Sequence, residues 1–219
     1  MARRLASSIV LACLFAAAAA APPVPAQEVE SAALVDSLYT KHGTRAVQAE
    51  IIVLRLDQKF DADEHQKIRN AVVVWNHVLN GHVRFEVDPS DFGDAETKAQ
   101  AADNKLTDWA IVRTAGQRPK RGATSEELAV TERMPTGGGM MIVNADLLER
   151  FSLENVILHE LGHVLGLDHN PRSRLMSTDY VLDRQGCVDK VTVGTLATLR
   201  RLPVDELNWC VPPRAGSSR

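Results

Sequence analysis

HELGHVLGLDH, residues His159 to His169, carries three histidines, one glutamate and two glycines in eleven positions. An α-helix turns once every 3.6 residues, so His159 and His163 project from one side, one turn apart. That spacing lets two imidazole nitrogens reach a single Zn²⁺ at ~2.0–2.1 Å. Glu160 sits about 100° around the helix from His159, beside such an ion, where a carboxylate can take a proton from water.

Gly166 accounts for the second half of the stretch. A helix continuing past Leu165 would carry His169 away. Glycine enters left-handed backbone without a Cβ penalty, so it can end the helix and return His169 as a third ligand. Three protein ligands leave one position open, the arrangement of a catalytic rather than a structural zinc site. A helix that merely buries three histidines is the alternative. Requiring the glycine and the third histidine at fixed offsets makes coincidence several hundred-fold rarer, on roughly average composition. Gly162 has no task that the sequence reveals.

The pattern His159-Glu160-x-x-His163-x-x-Gly166-x-x-His169 resembles the zinc-binding motif of the metzincin peptidases. Met176 lies seven residues after His169 in RSRLMSTDY and fits the Met-turn, the apolar floor under the ligands. Tyr180, four residues further, resembles the matrixin (matrix-metalloproteinase-like) branch, although STDY lacks the proline usual there. Astacin-like enzymes carry tyrosine where this chain has Thr178. The resemblance implies an α+β, zincin-type fold: a mixed twisted sheet with an active-site helix, then a small C-terminal subdomain holding the Met-turn and a helix. It also implies one catalytic Zn²⁺ held by His159, His163 and His169, Glu160 as catalytic base, and Asn155, Val156 and Tyr180 around the specificity pocket. The implied activity is hydrolysis of protein or peptide substrates. A zinc amidohydrolase acting on non-protein amides and a non-catalytic zinc-binding or adhesion protein remain as alternatives, the intact Glu160 counting against the last.

The chain leading to this motif reads as alternating strands and one helix. EIIVLRL (Glu50–Leu56) is a buried strand by its β-rich apolar run. Asp61 and Glu64 stand at capping-box spacing, and Ile68, Val72, Trp75 and Leu79 recur at helical spacing before Asn80–Gly81. HVRFEV alternates, with Val83, Phe85 and Val87 on one face, and DPS closes it. WAIV (Trp109–Val112), LAVTE (Leu128–Glu132, an edge strand) and MMIV after Gly137–Gly139 supply three more strands. Ser152 is a natural N-cap for the motif helix, with Leu153, Val156, Ile157, Val164 and Leu165 on its buried face. VTVGTLATLRRL after Cys187 reads as a helix packed beneath the site. His42, His65, His77 and His82 have no ligand spacing and read as surface or helix residues.

The ends of the chain address its compartment. Arg3 and Arg4 precede LASSIVLACLFAAAAAA, a short apolar run ending in small residues, which is the pattern of a secretory signal peptide cut before Gln27. The run is short and alanine-rich for a membrane span. Cys13 lies inside it and is read as part of the signal. Three segments result: 1–26 as signal, 27–48 as an N-terminal arm or short pro-segment, and 49–219 as the catalytic domain, its upper lobe reaching about 166 and its lower lobe 167–219. The matrixin cysteine switch is absent from 27–48, which holds no cysteine; latency through Asp36 binding the zinc is one reading, and an exposed charge is the other. Removing the signal moves the formal charge from −3 to −5, leaving 23 basic and 28 acidic residues. Nothing in that balance suggests nucleic-acid binding. The expectation is a secreted monomer without membrane attachment. Cys187 and Cys210 remain, and an even count in an exported chain reads as one disulfide, two free thiols being the alternative.

Overall fold

Apolar runs flanked by caps and glycines give the chain its elements, and the computed structural model describes them over residues 39–40, 42–43, 49–92, 108–114, 128–135, 137–144, 152–178 and 187–210. Strand β1 (Glu50–Asp57) leads to helix α1 (Ala62–Leu79), then β2 (Val83–Phe92), β3 (Trp109–Thr114), β4 (Ala129–Arg133) and β5 (Gly139–Asn144). Helices α2 (Leu153–Val164) and α3 (Lys190–Arg200) and a short 3-10 turn (Val204–Glu206) follow. The strands form one sheet in the order β2-β1-β3-β5-β4. All neighbours are parallel except β4, which runs antiparallel to β5 at the edge, as LAVTE suggested. The fold is α+β with a mixed sheet, as the sequence led us to expect.

The capping box forms as its spacing requires. The Asp61 carboxylate accepts from Glu64 N–H at 2.8 Å, and Glu64 accepts from Asp61 N–H at 2.9 Å. Asn80 ends α1 in left-handed backbone at φ 46°. The inward face of α1 packs across the sheet and against α2, where Trp75 Nε1 donates to Leu158 O at 2.8 Å. One continuous core results, with Leu54, Ile68, Trp75, Phe85, Ile111, Met141, Ile157 and Leu161 all at or below 1% exposure. Among the described residues no helix is long and apolar enough to cross a membrane.

Two local expectations need correction. β1 is buried only in its second half, and Ile51 is exposed, because β3 pairs with it over Leu54–Leu56 alone. DPS does not end β2. The strand continues to Phe92 through a register irregularity opposite Arg55–Asp57. A proline costs no ladder bond at an outer strand, and β2 is outermost. Of the four histidines without ligand spacing, His65 and His77 lie on α1, as that reading allowed; all four are half-buried, and His82 pairs with Glu206 at 3.0 Å.

Cys187 and Cys210 are joined as a disulfide. The described part of the 27–48 segment is tied to that same tail. Tyr39 forms a β-bridge with Cys210, its hydroxyl oxygen accepts from Val188 N–H, and Thr40 N–H donates to Trp209 O. The signal-like residues 1–26, Asp36 and Tyr180 lie outside the described residues.

Candidate metal centre

Helix α2 begins as its N-cap dictates, with the Ser152 hydroxyl accepting from Asn155 N–H. It ends at the glycine. Gly166 takes φ +97°, its N–H reaches His163 O at 2.9 Å, and Leu167 N–H reaches Gly162 O at 3.0 Å. This paired 5→2 and 6→1 bonding is a Schellman stop. The chain then doubles back and brings His169 to the two helical histidines.

The three Nε2 atoms form a near-equilateral triangle. His159–His163, His159–His169 and His163–His169 are separated by 3.1, 3.2 and 3.3 Å. The other ring nitrogens decide what these distances mean. His159 Nδ1 lies 2.6 Å from Leu175 O, and His163 Nδ1 lies 2.7 Å from Leu167 O. A carbonyl accepts only, so both Nδ1 atoms must carry the proton, and neutral rings then present bare Nε2 lone pairs. Two lone pairs 3.1 Å apart repel unless a cation lies between them. Two nitrogens at 2.0–2.1 Å from one tetrahedral ion stand ~3.3–3.4 Å apart, close to the sides of this triangle. The residues therefore fit a zinc-sized ion, and the three histidines can hold one.

Burial enforces the neutral state. It pushes the His159 imidazole down to about 4, against the opposing pull of the Leu175 carbonyl, and His163 and His169 add to the depression. The folded ring thus stays neutral where the unfolded one, near 6.5, takes up a proton. This contribution is fully present above about pH 6.5 and lost as pH falls toward 4. Metal-free protein is expected to lose roughly 3 kcal/mol of stability across that window. Urea unfolding at pH 7.5 and pH 4.5 measures it, and replacing His159 with Gln should flatten the difference.

Gly162 now has a task. A Cβ there would lie 2.5 Å from Met176 Sδ, so the absence of a side chain admits the methionine beneath the histidines. Met176 is 1% exposed and fills that floor. Its turn is held by Asp189, which the sequence did not single out. One Asp189 carboxylate oxygen, Oδ2, accepts from Ser173 Oγ, Thr192 Oγ1, Arg174 N–H and Leu175 N–H at 2.8–3.1 Å. The other, Oδ1, caps α3 through Val191 and Thr192 N–H. So α3 does pack beneath the site, with Arg200 donating to Leu165 O and Leu199 lying against Gly166.

A cleft of 650 Å³ opens over the triangle, lined by the three histidines, Glu160, Trp109, Leu128 and the β4 strand. Glu160 is only 3% exposed and accepts a 2.6 Å hydrogen bond from Thr131 Oγ1 on β4. Two residues along, Arg133 donates to Val164 O and covers the Trp109 ring at 5.2 Å, fastening β4 to the C-terminal end of α2. His159, Glu160, His163 and His169 are thus brought together, with Met176 below them. Val156 is fully buried, and neither it nor Asn155 lines the cleft formed by the described residues.

A family model for Matrixin peptidases matches residues 53–192, more than half of the chain. A search of the curated proteins found no match.

Proposed function

The chain belongs to the matrixin family, a zinc metallopeptidase family, and we propose that it is a secreted endopeptidase using Glu160 as its catalytic base. The observation that carries this reading is the convergence of three Nε2 atoms within 3.1–3.3 Å of one another beside a buried carboxylate, at the floor of an open cleft.

His159, His163 and His169 would hold Zn²⁺ through Nε2, each imidazole neutral. When bound, the ion supplies Lewis acidity, acidifying water and polarising a carbonyl oxygen. Glu160 takes the proton of the attacking water on a carboxylate oxygen and passes it to the leaving amine nitrogen. Strand β4 pairs with β5 on one side only among the described residues. Its other edge offers main-chain N–H and C=O groups to an extended peptide lying in the cleft. Such a strand-like substrate must come from an unfolded or flexible region. Tyr180 is proposed to wall the pocket for the residue after the scissile bond. Export is supported by the N-terminal pattern of residues 1–26 and by the disulfide.

The test is a proteome-derived peptide-library digest. The protein should cleave internal peptide bonds, a chelator should abolish cleavage, and added Zn²⁺ should restore it. A library left intact by zinc-loaded protein would refute the endopeptidase reading.

A further inference from the structure

The catalytic carboxylate is steered from the sheet as well as from its own helix. Glu160 belongs to α2, yet its Oε2 accepts from Thr131, a residue of the edge strand β4. We propose that Thr131 is a positioning residue, whose hydroxyl fixes the Glu160 carboxylate in the orientation that proton transfer requires. The inference rests on the role proposed for Glu160.

Three observations carry it. The separation of 2.6 Å lies in the range of a hydroxyl bonded to an ionised carboxylate, 2.5–2.7 Å, and such bonds are roughly twice as strong as neutral ones. The carboxylate is almost wholly withdrawn from solvent, so a protein donor replaces hydration that it has lost. Glutamate alone is a poor aiming device, because it reaches its carboxylate through flexible torsions. Threonine is the reverse: it is β-branched, stiff about its first torsion and well suited to a strand.

The strand under Thr131 is itself held firmly. β4 is paired with β5 from Ala129 to Arg133, with Thr131 opposite Met141. Arg133, on the same face, binds the end of α2. The hydroxyl is therefore aimed by two anchors on either side of it, the sheet and the helix terminus. Valine would fill the same space and keep the strand, while removing the donor. Serine would keep the donor.

The consequence is a division of labour on one strand. The backbone of β4 takes the substrate, while one of its side chains sets the base. Loss of the hydroxyl should then affect the chemical step and leave substrate affinity alone. Misplacing a reacting group by about an ångström is enough to cost up to about a hundredfold.

The experiment compares Thr131→Val, Thr131→Ser and Glu160→Ala with the wild type, all zinc-loaded, on one peptide taken from the library digest. Thr131→Val should lower kcat by about ten- to a hundredfold with KM unchanged. Thr131→Ser should restore most of that loss. Zinc content should stay at one ion per chain throughout, and Thr131→Val added to Glu160→Ala should cost nothing further. Unchanged kcat in Thr131→Val, a loss confined to KM, or equal losses in the Ser and Val variants would overturn the proposal. Should the Val variant fail to fold, Thr131→Ala takes its place against Thr131→Ser under the same criteria. If the wild type cleaves and Glu160→Ala does not, an active Thr131→Val overturns this inference alone. A wild type without cleavage overturns both it and the endopeptidase reading.

Discussion

Replacing Glu160 with alanine should reduce hydrolysis of casein or a library-derived peptide by about a hundred- to ten-thousandfold, the span expected for removing a general acid–base group. Zinc should remain bound. Those two outcomes are separable because Glu160 is not part of the nitrogen triangle: the three Nε2 atoms and the carbonyls that orient His159 and His163 involve no glutamate. Truncation removes the proton carrier and exposes the Thr131 hydroxyl to the cleft, where water can satisfy it. The measurement is kcat alongside metal content and far-UV circular dichroism. Full activity in a zinc-loaded, folded Glu160→Ala protein would remove the carboxylate from the mechanism. Loss of zinc together with activity would instead give Glu160 a part in holding the ion.

Much of this site could be read from the sequence because its rules are local. The two helical histidines, the glutamate and the glycine stop all follow from 3.6-residue periodicity and the freedom of glycine at positive φ, and Gly166 adopts φ +97° as that reasoning requires. The α1 cap was readable for the same reason, since Asp61 and Glu64 bond to each other's backbone. What escaped the sequence is what depends on distant partners. Gly162 looks idle until Met176, fourteen positions on, is found where its Cβ would be. Thr131 is one β-branched residue in a strand-like run, and no pattern says that its side chain meets α2. The continuation of β2 past Pro89 was hidden for a related reason. A proline ends a strand only where its missing N–H is needed, and the position of β2 at the sheet edge is a property of the whole topology.

Asp189 is the sharpest case of such a distant partner, and its removal carries the second large effect. Its carboxylate collects six hydrogen bonds, from Ser173, Arg174, Leu175, Val191 and twice from Thr192. Burial alone would raise this carboxyl, but the hydrogen bonds from Leu175, Thr192 and Ser173 outweigh it and hold it below the usual carboxylate range. The stabilisation is therefore present at neutral pH and lost only as acidity passes below that range. Asp189→Ala strands donors: the Ser173 and Thr192 hydroxyls, 3% and 1% exposed, also bond each other, so one of them loses its acceptor, and the Leu175 N–H loses its own. At about 1–3 kcal/mol for each buried group left without a partner, two or more of them predict a loss of about 3–5 kcal/mol. The damage should also reach the metal. Leu175 gives its N–H to Asp189 and its carbonyl to His159 Nδ1, so a single residue links this carboxylate to a ligand's orienting bond. Losing a ligand's direct partner lowers metal affinity by about 10–100-fold, and Asp189, one residue further out, should cost no more than the lower end, about tenfold. Titration of zinc against a competing chelator, with thermal unfolding in parallel, should show both effects. Because Asp189 does not touch the cleft, kcat per zinc-loaded molecule should fall far less than in Glu160→Ala. A variant that unfolds earlier yet binds zinc as tightly as the wild type would confine Asp189 to the stability of the turn.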